Sequence, residues 1–168
     1  MDIEFEQTAE IFSMTFTADQ KQLEEIAILL GETAEKGSII ALTGDLGAGK
    51  TTFTKAFAKG MGIEEHITSP TFTIIQEYDG VLPLYHFDVY RIEDSLELEE
   101  VGCEEYFSGD GVTVVEWGDM IKDLLPEKTL WIILNTLDLT RRRVRIHGSI
   151  KGNGEWIKVL KSEGVKGS

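Results

Sequence analysis

A single cysteine, Cys103, and only three prolines occur in the chain. One cysteine closes no internal disulfide, so stability has to come from a packed core, and a cytoplasmic setting is expected. Cys103 sits in Val101-Gly102-Cys103-Glu104-Glu105. Carboxylates beside a thiol raise its pKa, which predicts a packing residue and not a nucleophile. No apolar run approaches the length of a membrane helix, so no membrane partner is expected. The opening Met1-Asp2-Ile3-Glu4-Phe5-Glu6 is acidic, unlike a signal peptide. Positive charge is also scarce: 16 Lys and Arg stand against 30 Asp and Glu, a net charge of −14. Such a surface repels phosphate backbones at long range and argues against non-specific nucleic-acid binding. The local exception is Arg141-Arg142-Arg143-Val144-Arg145. No repeat or low-complexity linker interrupts the chain, and one domain over residues 1–168 is expected, with a C-terminal tail that frays over about 161–168.

Glycine, by contrast, is well represented, and its placement is informative. Gly44-Asp45-Leu46-Gly47-Ala48-Gly49-Lys50-Thr51 is a complete G-x-x-x-x-G-K-[ST] phosphate loop. In such a loop the glycines let backbone N–H groups turn inward around a polyphosphate. The lysine reaches the terminal phosphates, and the threonine hydroxyl ligates Mg²⁺. Ser38-Ile39-Ile40-Ala41-Leu42-Thr43 before it suits a buried strand, and the segment from Thr52 to Lys59 suits a helix stopped by Gly60 and Gly62. The N-terminus of that helix directs partial positive charge at the phosphates.

Ala9 to Phe16 reads as extended. Thr17-Ala18-Asp19-Gln20 resembles a capping box for a helix carrying Leu23, Ile26, Ala27, Leu30 and Ala34, closed by Gly37. Thr71 to Tyr78 and Leu84 to Tyr90 predict an antiparallel hairpin. A short acidic helix capped by Ser95 or Asp94, a buried strand from Val112 to Glu116, and a helix from Trp117 to Leu125 follow. Strands from Thr129 to Leu134 and from Arg142 to Ile150 come next, and Trp156 to Leu160 is apolar enough to pack. Alternating helices and strands around a phosphate loop predict a three-layer α/β P-loop sandwich with a mixed, mostly parallel central sheet.

Hydrolysis needs a carboxylate to hold Mg²⁺ and order water. Glu116 ends the most hydrophobic strand after the loop, and the metal role is preferred over a solvent-facing acid. Asp88 lies in an apolar, aromatic strand, where a buried carboxylate requires a cation or donors. It either orients water near Mg²⁺ or forms a structural pair with Arg91 or His86. His86 reads as a hydrogen-bonded structural residue, and His66 and His147 as surface residues. Asn135-Thr136-Leu137-Asp138 lacks the lysine of a guanine reader and no D-x-x-G follows the loop, so ATP is expected. Ser69-Pro70-Thr71 is either a switch near the terminal phosphate or a rigid turn. Trp117 is either core filling or an aromatic contact for a partner.

Taken together, these segments resemble the TsaE family, formerly YjeE. The resemblance is carried by the loop through Thr52, Ser69-Pro70-Thr71-Phe72-Thr73, Tyr85-His86-Phe87-Asp88-Val89-Tyr90-Arg91, Glu97-Leu98-Glu99 with Gly102 and Tyr106-Phe107, and Val115-Glu116-Trp117. It implies a Mg²⁺-dependent ATPase, weak alone, that supports turnover by the proteins TsaB and TsaD. That pair transfers a threonylcarbamoyl group to N6 of adenosine 37 of tRNA, so tRNA is met indirectly or within the complex. Carried onto this chain, Lys50 binds phosphate, Thr51 and Glu116 hold Mg²⁺, Asp88 is needed for hydrolysis, and Trp117 matches a functionally important tryptophan. The rivals are a small-molecule kinase, for which no arginine-rich lid is evident, and an ATP-gated binding module without meaningful hydrolysis.

Overall fold

The computed structural model describes residues 2–68, 70, 74–92 and 95–166. Among the described residues, eight strands form one sheet in the order β1-β2-β8-β7-β3-β6-β5-β4. They are β1 (Glu4–Gln7), β2 (Ile11–Asp19), β3 (Ile39–Gly44), β4 (Ile75–Tyr78), β5 (Leu84–Asp88), β6 (Val112–Glu116), β7 (Leu130–Thr136) and β8 (Arg141–Ser149). The helices are α1 (Gln20–Glu32), α2 (Lys50–Gly60), α3 (Ser95–Glu100), α4 (Cys103–Phe107) and α5 (Gly154–Lys166), with a 3₁₀ segment over Gly118–Leu124.

The sheet is mixed, and its centre is parallel. β3 pairs in parallel with β7 on one side and β6 on the other, and β6 with β5. The outer pairs are antiparallel. Burial follows the topology. β6 is buried along its whole length, as a strand covered on both faces must be. β2 and β8 alternate between buried and partly open positions, because only one of their faces is covered.

Two cores separate along the strands by side-chain parity. Phe12, Met14, Ile40, Leu42, Val112, Val114 and Ile146 face α1, α2 and α5. Ile39, Phe87 and Val115 face α3, α4 and the 3₁₀ segment, where Leu98, Cys103, Phe107 and Ile121 meet them. The result is three layers. Phe53 and Phe57 anchor α2 with no exposed surface, and each such burial contributes about 1.5–3 kcal/mol. α1 crosses α2 with backbones in contact: a Cβ at Gly31 would lie 2.1 Å from the Phe57 carbonyl oxygen, and one at Gly60 2.1 Å from that of Ile28. Glycine at both crossings lets α2 seat deeply enough to bring its first turn to the sheet's carboxyl edge.

Several details differ from the sequence reading. The capping box is formed by Asp19 and Gln22, not from Thr17. Thr17 and Ala18 remain in β2, paired with Arg143 and Arg142, because the ladder to β8 holds them extended. β1 and α4 were not anticipated; both are short, and β1 gains its order from pairing with β2. The apolar stretch from Trp156 to Leu160 packs as the sequence suggests, with Trp156, Ile157 and Leu160 buried and Trp156 Nε1 donating to the Leu30 carbonyl at 3.0 Å. Its helix α5 continues to Lys166, beyond the point near 161 where fraying was expected. Residues 167–168, and the predicted helix caps at position 94 and in the Ser95 side chain, fall outside the described set. Cys103 is fully buried, and burial together with Glu104 and Glu99 raises its thiol pKa, in keeping with packing. Among the described residues, no helix is long and apolar enough to cross a membrane.

Candidate functional site

The phosphate loop leaves β3 at Gly44 and enters α2 at Lys50. Gly44 has φ +146°, and a Cβ there would stand 2.2 Å from the Leu134 carbonyl oxygen of β7, so no other residue fits. Gly49 is the N-cap and supplies no side-chain cap to the first turn of α2. A helix start capped in this way is suited to an anion. Leu46, Gly47, Gly49, Lys50, Thr51 and Thr52 border a cleft of about 570 Å³, with Asp88, Glu116 and Trp117 across from them. That is a volume in the range of nucleotide-sized sites. Ala48 is buried beneath the loop, whereas Leu46 projects from its crest with 82% of its surface exposed.

Lys50 is buried. Its Nζ donates to the carbonyls of Gly44 at 2.7 Å and Asp45 at 2.8 Å, and lies 3.9 Å from the Trp117 ring centroid. Burial lowers the ammonium pKa, while Glu116, Asp119, Asp45 and Asp88 oppose that shift. Trp117 has φ +63°, the only positive value outside glycine among the described residues. This backbone is unfavourable by about 1–2 kcal/mol for an L-residue, and here it turns the chain directly after Glu116. The indole packs against Tyr90, with ring centroids 4.7 Å apart and the planes tilted by 40°, and so forms a wall over the lysine.

The carboxylates come from adjacent strand ends, with Asp88 of β5 in register with Glu116 of β6. Glu116 is buried. Its Oε1 accepts from the Thr51 hydroxyl at 2.9 Å, and its Oε2 meets His86 Nε2 at 2.5 Å. Asp88 is half-buried, and its Oδ1 accepts from the Tyr90 N–H at 3.1 Å. Burial raises its pKa, the Tyr90 N–H opposes that shift, and repulsion from Glu116 adds to it. Among the described residues neither Arg91 nor His86 hydrogen-bonds to Asp88, so the pairing alternatives are not those the structure adopts. A hydroxyl and a carboxylate side by side at the loop fit Mg²⁺, which takes few protein oxygens and completes its shell with phosphate and water. Among the described residues no cluster of three or more His, Cys, Asp or Glu competes as a metal site.

Other predicted positions resolve differently. Ser69 and Thr71 lie outside the described residues; Pro70 between them borders the cleft. Asp138 is consumed within its own turn: it accepts from the N–H groups of Thr140 and Arg141 and from the Arg141 side chain, which holds its pKa down at about 2. It is therefore not available to read a base. His147 is half-buried, with its ring parallel to that of Trp131.

Two residues gained significance only in the fold. His86 backs Glu116. Arg142 turns inward while Arg141, Arg143 and Arg145 are exposed, a consequence of strand parity. Its guanidinium lies against the loop, 3.8 Å from where a Gly49 Cβ would be, and its buried Nε and Nη1 have no hydrogen-bond partner among the described residues. Counting alternate positions back from Val144 was the signal available in the sequence.

The chain is similar to known proteins over most of its length. The family model described as threonylcarbamoyl adenosine biosynthesis protein TsaE matches residues 17–144. The chain is 54% identical over 119 residues to tRNA threonylcarbamoyladenosine biosynthesis protein TsaE of Bacillus subtilis, spanning 70% of this chain and 74% of that one. It is 44% identical over 118 residues to the protein of the same name from Treponema pallidum, spanning 70% and 87%. The crystal structure of Bacillus subtilis YdiB superposes with a TM-score of 0.75 at 36% identity, covering 93% of this chain and 99% of that one.

Proposed function

The chain belongs to the TsaE family, and from that premise we propose that it is a cytoplasmic, Mg²⁺-dependent ATPase acting in tRNA threonylcarbamoyladenosine synthesis, where its hydrolysis supports turnover by TsaB and TsaD. The observation that carries this reading is the Thr51–Glu116 hydrogen bond at 2.9 Å, which joins the phosphate loop to the strand-end carboxylate. In this reading Lys50 neutralises the terminal phosphates, and the first turn of α2 and the loop backbone hold the rest of the chain of phosphates. Thr51 and Glu116 hold Mg²⁺, which would supply charge stabilisation as phosphoryl transfer proceeds. Asp88, whose raised pKa and position beside Glu116 suit a group managing a water, orients the nucleophile. Arg142 offers its Nε and Nη1, which have no partner among the described residues, to the nucleotide from the β8 side of the loop.

The weak activity of the isolated chain that the family resemblance implies has a physical counterpart in this geometry. Lys50 is engaged by two loop carbonyls and covered by Trp117, so it has to exchange those contacts for phosphate. Trp117 and Tyr90 stand where a partner protein reaches them, since Tyr90 is 52% exposed. The covered lysine also favours a second reading, an ATP-gated binding module in which the nucleotide acts by displacing Trp117. Multiple-turnover reconstitution separates the two: ATP sustains repeated modification of tRNA and a non-hydrolysable analogue does not, if hydrolysis is the function. Lys50→Ala is expected to lower ATP hydrolysis by about 10²- to 10³-fold, the usual effect of removing one preorganised charge-stabilising donor. Wild-type turnover by that variant would overturn the reading.

A further inference from the structure

His86 is fully buried in β5, between the buried Leu84 and Phe87, and does not border the cleft. A polar ring in that position requires a partner. It has one among the described residues: Glu116 Oε2, opposite Nε2. Nδ1 is buried without a partner among the described residues. Together these contacts decide the tautomer. A proton on Nδ1 would leave an orphaned buried donor and set the Nε2 lone pair against the carboxylate. A proton on Nε2 makes the imidazole the donor and Glu116 the acceptor, and leaves only a bare acceptor nitrogen behind.

We infer that His86 is the positioning residue of the metal carboxylate: its Nε2–H fixes Glu116 Oε2 and so turns Oε1 toward Thr51 and the cleft. The inference rests on the Mg²⁺–nucleotide reading above and adds to it the group that orients the metal ligand. Two tethers, one from β5 and one from α2, define the plane of the carboxylate. Both come from rigid elements, and β5 lies in parallel register with β6, His86 opposite Val114 and Asp88 opposite Glu116. His86 touches no substrate, so its effect passes entirely through Glu116. Outer-shell partners of this kind govern metal affinity by about 10- to 100-fold.

The test compares wild type, His86→Gln, His86→Asn, Glu116→Gln and the double variant His86→Asn/Glu116→Gln. The readout is the Mg²⁺ concentration giving half-maximal enhancement of ADP binding by titration calorimetry, with ADP binding in EDTA as the check on the loop. Glutamine places an amide N–H near the Nε2 position, whereas asparagine reaches only the Nδ1 position. His86→Asn is expected to raise the half-saturating Mg²⁺ by about 10- to 100-fold, with ADP binding in EDTA unchanged. His86→Gln is expected to restore most of that loss, and His86→Asn to add nothing in the Glu116→Gln background. Equal defects in Asn and Gln, an unchanged Mg²⁺ requirement, or an additive double variant would overturn the positioning role while leaving the nucleotide site intact. A wild type whose ADP binding ignores Mg²⁺ would overturn the metal reading itself. A measurement without any change at His86 guards against misfolding of the variants. The wild-type imidazole Nε2–H resonance is expected to be observable and to move on adding Mg²⁺ with ADP, and an invariant resonance counts against the proposal.

Discussion

The two flanks of the phosphate loop are built in opposite ways. On the β6 side, Thr51, Glu116 and His86 form a continuous chain of hydrogen bonds running from α2 through β6 to β5. On the β8 side, Arg142 brings a guanidinium against Gly49 with two buried nitrogens unpartnered among the described residues. A buried donor without an acceptor costs about 1–3 kcal/mol, more when charged. The first flank is therefore organised before any ligand arrives, as suits a group that must hold a small cation in a fixed geometry. The second flank carries hydrogen-bonding capacity that the described residues do not use, as suits recognition of an anionic ligand. The difference teaches that one loop serves two tasks: orientation where its neighbours are satisfied, and affinity where they are not.

Breaking the organised flank at its centre is expected to have the largest effect. Glu116→Gln removes the anionic charge of the proposed metal ligand and leaves Thr51 and His86 with weakened partners. The Mg²⁺ requirement for nucleotide binding is expected to rise by more than the 10- to 100-fold typical of an outer-shell partner. ADP binding in EDTA, measured by calorimetry, is expected to stay within a few-fold of wild type. If it collapses along with the metal effect, the two flanks are not separable.

Arg142→Ala probes the other flank and should give the converse pattern. ADP affinity is expected to fall by about tenfold or more, the loss of one charged hydrogen bond, with the Mg²⁺ requirement unchanged. Stability in the absence of nucleotide, measured by urea denaturation, is expected to hold or to rise by about 1 kcal/mol, because an unpaired buried donor is removed. A stability loss of several kcal/mol instead would mean that Arg142 is a packing residue.

The smallest effect concerns Asp88, which lies in register with Glu116 on the organised flank. Burial holds its folded-state pKa above the ordinary carboxylate value, with Glu116 adding repulsion. Its ionised form is thus disfavoured in the folded protein. The penalty is absent below the unfolded pKa near 3.9, develops as pH rises through the folded value, and persists above it. Asp88→Asn should therefore gain melting temperature relative to wild type on going from about pH 4 to pH 7. A difference that shrinks over this interval would reverse the assigned sign.

Much of this site could be read along the chain. The loop needs adjacent glycines, lysine and threonine, and a sequence displays them directly. Glu116 was visible because a buried β-branched run ends on it, and the parallel centre of the sheet followed from strand and helix alternation. His86 was read as a hydrogen-bonded structural residue, but its partner was not legible. The pairing depends on β5 lying beside β6, thirty residues apart in the chain. The Arg141–Arg145 cluster was visible as charge alone. That Arg142 alone turns toward the loop depends on the register of β8 with β2 and β7. The Asp19 cap was displaced from Thr17 for a similar reason: strand pairing outlasted the local turn signal.

By itself, the sequence determined the chemistry available: a phosphate cradle, two strand-end carboxylates, no disulfide and a strongly acidic surface. These are properties of side chains and of short backbone segments, and they hold wherever the segment is placed. Only the tertiary structure decided which of those groups meet. Strand order set Glu116 between Thr51 and His86, parity sent Arg142 inward, and the left-handed turn at Trp117 laid its ring over Lys50. Each of these contacts joins residues far apart in the chain, so its existence depends on register and packing that no local pattern encodes.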